Sequence, residues 1–337
     1  MNRRLALAAA LCAVGLFSAV ALAFTVGRYP VPPAQVAAVL WAKLVGAPSG
    51  LDPVIETVVL AVRGPRVLAA LLVGAALAAA GAAFQGLFRN PLVSPDILGV
   101  SSGAALGAVV GIFLSLNVFA IQSLAFAGGL AAVALVYGLA QAARGHDPLL
   151  VLVLAGVAIG SLLGAGVALL KYLADPYNQL PAITFWLLGS LASVNPDDVA
   201  STWPVVAAAL VPLWLLRWRI NVLSMGDEEA RALGVDAHRL RVVVVACATL
   251  ATASVVAISG TIGWIGLLIP HFARFLVGPD FRRLLPVSLA LGAAFMLAVD
   301  TLARTLARIE LPLGVLTAAL GTPVFVWLLA RARRSWQ

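Results

Sequence analysis

Apolar residues run through this chain in long blocks separated by short polar turns. Ten blocks read as helices: Leu5–Val26, Val67–Leu87, Leu98–Leu116, Ile121–Ala143, Leu149–Leu173, Ser201–Leu216, Leu240–Ile258, Thr261–Gly278, Leu285–Ala303 and Pro312–Ala330. A helix crosses a bilayer core in about 20 residues, so ten spans joined by short loops fit the chain. Several blocks are short or broken by Gly and Pro, which a bundle tolerates where freed backbone groups find protein or water. Small residues recur, as in Gly74-Ala75-Ala76 and Gly103-Ala104-Ala105-Leu106-Gly107. Such residues let helix backbones approach closely in lipid. Two further pieces are predicted not to span. Pro32–Gly46 is amphipathic, and Ala182–Val194 is too short and follows the polar turn Asp175–Pro181. The latter reads as a half-helix at the outer mouth.

Composition turns the pattern into a fold class. Of 337 residues, 62% are apolar and 11% charged, and the mean hydropathy is +1.05. A soluble domain carries about 25% charged residues. This much apolar surface cannot be hidden in a soluble core. A soluble enzyme, a disordered chain and a disulfide scaffold are excluded, leaving an all-α polytopic membrane protein with ten transmembrane helices and no separate soluble domain. The start, Met1-Asn2-Arg3-Arg4 before Leu5–Val26, resembles a secretion leader. Its apolar run exceeds the roughly 7–15 residues of a leader core, so it is read as a retained first span. Cys12 and Cys247 sit inside apolar runs. Their number and spacing suit core packing, not a disulfide or metal site.

Charge sets the orientation. The net charge is +8 and the pI about 10.5, values that in a soluble protein suggest nucleic acid. In a membrane protein the placement matters more. With the N-terminus inside and ten alternating spans, fifteen of the 22 basic residues fall on the cytoplasmic side. Arg28, Lys43, Arg63, Arg66, Lys171, Arg304 and Arg308 fall outside. That bias supports ten spans with both termini cytoplasmic, and gives no support to nucleic-acid binding.

Three segments carry further information. Arg217–Asp236 is the longest polar stretch. Ser224 and Asp227 predict a capping box, Asp227, Glu228 and Glu229 fill a first turn, and Gly234 ends the helix. Gln85–Val100 holds two prolines and two glycines where a helical hairpin would turn, a pattern found at gates and binding sites. In Gly263–Arg274, His271 reads as a structural hydrogen-bonding residue, with no Cys, Met or acidic cluster beside it. No catalytic constellation and no phosphate-binding G-x-x-x-x-G-K-[ST] loop is present. An ion-coupled secondary transporter is the rival class. It needs ionisable groups deep in the bundle, and Asp300 is the deepest candidate here.

Taken together, these segments resemble a known family. Val62-Arg63-Gly64-Pro65-Arg66, Leu72–Ala78, Gln85–Leu92, Leu98–Ala104, Leu223–Val235, Gly263–Arg274, Asp300–Arg304 and Glu310–Val315 resemble, in order, the iron-chelate and vitamin B12 (FecCD-type) permeases of type II ABC importers. The resemblance implies a multi-pass subunit in the inner membrane of a bacterial or archaeal cell. It implies a homodimer contacting lipid, two cytoplasmic ATPase subunits that bind ATP and Mg, and a periplasmic or lipid-anchored substrate-binding protein. The permease itself carries no cofactor or metal and works by alternating access. Leu223, Ser224, Gly226, Asp227, Glu228, Glu229, Ala230, Arg231, Leu233 and Gly234 match the helix that couples to the ATPase. Asn90, Pro91 and Leu92 match the gate loop. Arg63, Arg66 and Arg304 match arginines presented to carboxylates of the binding protein, a task suited to a bidentate fork, with Arg308 as a substitute for Arg304. An iron–siderophore or similar metal chelate is the expected cargo; haem, cobalamin and molybdate stay open within the family.

Overall fold

The computed structural model of the chain describes residues 3–142 and 148–332. The expectations for Arg144, Arg333 and Arg334, and the outermost residues of both termini, lie outside them. In chain order the helices are α1 (Arg3–Thr25), α2 (Pro33–Val45), α3 (Pro53–Glu56), α4 (Gly64–Leu87), α5 (Val100–Phe113), α6 (Val118–Ala142), α7 (Pro148–Leu173) and α8 (Gln179–Leu188). They continue with α9 (Pro196–Leu215), α10 (Arg217–Leu223), α11 (Asp227–Ala232), α12 (Ala237–Ser259), α13 (Ile265–Val277), α14 (Phe281–Thr305) and α15 (Leu313–Ala332). No strand occurs among the described residues.

Seven helical stretches are long and apolar enough to cross a membrane: Leu7–Thr25, Pro53–Leu87, Val118–Ala142, Leu150–Leu173, Pro196–Leu215, Ala237–Ser259 and Phe281–Thr305. The ten predicted blocks map onto these seven, onto the shorter apolar helices α5 and α13, and onto α15. The two pieces predicted not to span map onto α2 and α8. Helix α8 starts at Gln179, inside the expected polar turn, and stops at Leu188. Residues 189–194 are therefore not helical, because Gly189 turns the chain at φ 73°.

α4 is the central post, continuous with α3 through a π-helical stretch, Thr57–Arg63. At its end the Gly64 N–H bonds to the Val59 carbonyl five residues back, and Pro65 follows with no N–H to donate. α4 and α14 approach closely where glycine faces glycine: a Cβ on Gly74 would lie 2.1 Å from the Gly292 carbonyl oxygen. Core side chains cluster in two main groups. One, around Phe84, Leu213, Ile220, Phe281 and Leu284, fills the end where α1 starts. The other, around Val73, Leu191, Ile265, Leu297 and Leu313, fills the half toward the opposite end. We call these the near end and the far end.

α5 and α13 are short for one physical reason: each gives up turns to irregular backbone inside the bundle. Before α5 come the turn at 88–94 and the 3₁₀ turn Pro95–Leu98. Before α13 come residues 260–264. These breaks meet. A Cβ on Gly266 would lie 3.2 Å from the Pro95 ring and 3.1 Å from the Leu77 carbonyl oxygen.

Candidate functional site

At the far end the three arginines expected to greet a partner are brought together, but turned inward. The π-helical stretch places both Arg63 and Arg66 against the bundle, at 4% and 8% exposure, and Arg304 is at 9%. Arg66 Nε lies 2.9 Å from Asp300 Oδ1, and its fork grips Glu310 bidentately, at 3.0 Å for both N–O pairs. Arg304 Nε lies 3.2 Å from Asp300 Oδ2, a charge contact with the N–H not aimed at the oxygen. Arg304 also donates to the carbonyls of Ala23, at 3.2 Å, and Val26, at 3.4 Å. Arg63 donates to the carbonyls of Phe24 and Tyr29. The last carbonyls of a helix lack intrahelical partners and carry partial negative charge. Here arginine forks satisfy them at the end of α1. None of the three offers a free fork in this structure. The exposed cations nearby are Arg28 and Arg308, tied by a 2.6 Å bond from Arg28 Nη2 to the Arg308 carbonyl.

At the near end, the polar stretch forms two short helices instead of one. The predicted capping box is absent: Ser224 Oγ donates to the Asn221 carbonyl at 2.7 Å. The residue that caps α11 is Gly226, at φ 141°. Ser224 is instead the C-cap of α10, so the serine belongs to the end of one helix and not to the start of the next. The predicted stop at Gly234 is present, with φ 74°. Val235 N–H bonds to the Ala230 carbonyl at 2.8 Å and Gly234 N–H to Arg231 at 2.9 Å, a Schellman ending. Asp227 is clamped by Arg241 of α12. Leu223 and Ala230 are buried anchors, while Glu228, Glu229, Arg231 and Leu233 face outward. Asp236 caps α12 by accepting from the Arg239 N–H at 3.0 Å. That bond first, and then the Arg239 and His238 charges, holds its carboxyl below the usual range.

Between the two ends lies a cavity of about 320 Å³, walled by Leu77 of α4, Leu92, Ser94–Ile97, Thr252 of α12, Ile262–Trp264, Gly266 and Leu267. Of the predicted gate residues, Leu92 lines it. Asn90 holds the loop by accepting from the Leu92 N–H at 2.9 Å, and Pro91 is exposed beside it. Three features escaped the sequence reading. Buried Gln85 donates to the carbonyls of Gly266, at 3.3 Å, and Leu267, at 3.2 Å, and accepts from Arg274 at 2.5 Å. Trp264 sits at φ 72°, a left-handed conformation costing about 1–3 kcal/mol for a bulky residue, held by packing on Gly321 and Phe325. Asp96 opens into the cavity and accepts from Ser101 Oγ. The Pro and Gly spacing marked this region, but only the fold brings Asp96 opposite Trp264. His271 packs edge-on to Phe275, ring centroids 5.0 Å apart. Among the described residues no three His, Cys, Asp or Glu side chains gather as metal ligands.

Comparison with known proteins bears on this arrangement. The family model described as the FecCD transport family matches residues 14–331. The chain is 41% identical over 309 residues to the molybdate import permease MolB of Haemophilus influenzae, covering 92% of this chain and 91% of that protein. It is 43% identical over 281 residues to the cobalamin import permease BtuC of Halobacterium salinarum, covering 83% and 75%. A solved inward-facing structure of a metal-chelate type ABC transporter superposes with TM-score 0.85 at 38% identity, covering 95% of this chain and 97% of that one.

Proposed function

The chain belongs to the FecCD transport family, and from that membership we propose that it forms a homodimeric channel importing an iron–siderophore or similar metal chelate. It is an inner-membrane permease subunit of an ABC importer, of the kind that handles metal chelates, haem, cobalamin or molybdate-type substrates. In our reading both termini are cytoplasmic and two ATPase subunits bind at the near end, supplying ATP and Mg chemistry that this chain lacks. A binding protein docks at the far end. A partner carboxylate reaches the Arg66 fork there only by displacing Glu310, so Arg28 and Arg308 make first contact.

The observation that carries this proposal is α11. It is a short, firmly ended helix whose acidic face points away from the bundle while Asp227–Arg241 ties it to α12. A rigid protrusion of that kind passes force from a soluble motor into a spanning helix. Coexpression with the ATPase from the same transporter tests it. The wild type should copurify with the ATPase, and Glu228→Arg with Glu229→Arg should weaken the complex through two charge reversals. An undiminished complex overturns the coupling assignment. Uptake into vesicles that survives removal of ATP and the ATPase, but collapses with the ion gradient, overturns the importer reading.

A further inference from the structure

The cavity at the meeting of the two backbone breaks lies deep in the bundle. Leu77 is ten residues before the end of α4 at Leu87, about 15 Å at 1.5 Å per residue, and a bilayer core is about 30 Å thick. Thr252, on the facing wall, is seven residues before the end of α12 at Ser259, about 10 Å from the far end. Non-helical backbone at such depth survives only buried in protein or lining a water-filled space. Residues 92, 94–97, 262–264, 266 and 267 do line one.

The chemistry of this lining is lopsided. Leu77, Leu92, Pro95, Ile97, Ile262 and Trp264 supply apolar side chains, and polar atoms make up nearly as much of the lining. Among the lining residues Asp96 alone is charged. Thr252 is fully buried, and its hydroxyl gives its proton to the Ala248 carbonyl of its own helix. Asp96 is accessible, and the Ser101 hydroxyl orients it through one carboxylate oxygen. A carboxylate in a low-dielectric, single-signed recess focuses negative potential. Ionisable groups at this depth mark substrate pathways. Binding sites combine apolar side chains with a few placed polar groups, and this one has both, with a single carboxyl group among them.

We propose that this cavity is a station on the translocation path at which Asp96 selects cargo by charge. It accepts a chelate presenting a neutral or cationic, hydrogen-bond-donating face against an apolar body, and it rejects free oxyanions. The inference rests on the permease reading and narrows its cargo class. The gate residue Leu92 forms part of the same wall, so the charge test occurs next to the closing element.

The test needs no identified cargo. In a background with Cys12 and Cys247 replaced by Ala, Leu92→Cys places a thiol in the cavity wall, and Ile97→Cys provides a second reporter. Each is reacted in membranes with a cationic and an anionic methanethiosulfonate, with and without Asp96→Asn. Both reagents attack the same thiolate, so the rate ratio cancels thiol ionisation. With Asp96 present the cationic reagent should win by at least about tenfold more than in the Asp96→Asn background, as expected for a unit charge within several ångströms at reduced dielectric. Equal ratios with and without Asp96→Asn overturn the proposal. So does failure of both cavity thiols to react in membranes where an exposed Met225→Cys reacts. The outcome is independent of the importer reading. Loss of the ATPase complex would sink that reading while leaving the charge ratio standing, and equal ratios would remove only the cargo selection.

Discussion

Replacing Asp300 with Asn probes the far-end clasp at its centre. The carboxylate is fully buried, at 0% side-chain exposure, and faces two guanidiniums, Arg66 at 2.9 Å and Arg304 at 3.2 Å. Removing one partner of a buried ion pair costs about 3–5 kcal/mol, because the remaining charge is left uncompensated. Arg66 keeps the bidentate grip of Glu310 and Arg304 keeps neutral carbonyl acceptors, which places Asp300→Asn near the low end, about 3 kcal/mol. Glu310→Gln is the control. Its side chain is 33% exposed, water screens the lost charge, and the amide oxygen still accepts one bond, so the cost is about 1 kcal/mol or less. The gap of about 2 kcal/mol is roughly a 30-fold difference in the folding equilibrium. Unfolding of the reconstituted protein in bicelles, followed by loss of helix content, measures both. A double cycle with Arg304→Gln should recover part of the Asp300→Asn loss, since that variant removes one stranded cation. Asp300→Asn no worse than Glu310→Gln would refute the idea that burial, not ion-pair count, sets the strength of this clasp.

Other substitutions separate close packing from open surface. Gly74→Ala drives a Cβ to 2.1 Å from the Gly292 carbonyl and should cost about 1–3 kcal/mol or more by forcing α4 and α14 apart. Gly138→Ala meets nothing within 4 Å and should be neutral or stabilise α6 by up to about 1 kcal/mol; the same unfolding assay reads both. Ser224→Ala should change stability by less than about 0.5 kcal/mol, because its hydroxyl caps no N–H of α11, as for surface positions generally. Gly234→Ala, at φ 74°, should cost about 1–2 kcal/mol and loosen the ATPase complex measured by copurification.

Hydropathy made the long helices legible, because a fully lipid-compatible run is visible without knowing its neighbours. It also marked α2, by its amphipathic pattern, and α8, by its length, as pieces that do not span. The resemblance then proposed a gate loop at Asn90–Leu92 and a coupling stretch at Leu223–Gly234. What stayed hidden depended on residues far apart in sequence. Arg63, Arg66 and Arg304 looked like forks for an outside partner, and only the fold reveals that Asp300, Glu310 and the carbonyls at the end of α1 already occupy them. Ser224 looked like an N-cap because Asp227 follows at the right interval. The chain there breaks into two helices, and Gly226 takes the position through a backbone angle that composition does not encode.

These parts connect mechanically. Asp227 of α11 is clamped to Arg241, and Thr252, eleven residues further along the same unbroken α12, forms the cavity wall. That distance is about 16 Å along one helix. An α-helix does not compress, so movement of α11 reaches the wall as translation or tilt of α12. On the other side, Gln85 binds the first turn of α13 and Arg274 at once, so α4 and α13 move as one body beneath Trp264. Both α12 and α13 pack on α4, so the cavity lies where the three helices meet, and the loop 88–94 closes it on non-helical backbone. In the proposed importer, Leu92 on that loop is the element whose displacement opens the cavity toward the near end. The strained Trp264 and the irregular residues at 260–264 are where a low-cost change in backbone angles can absorb that motion.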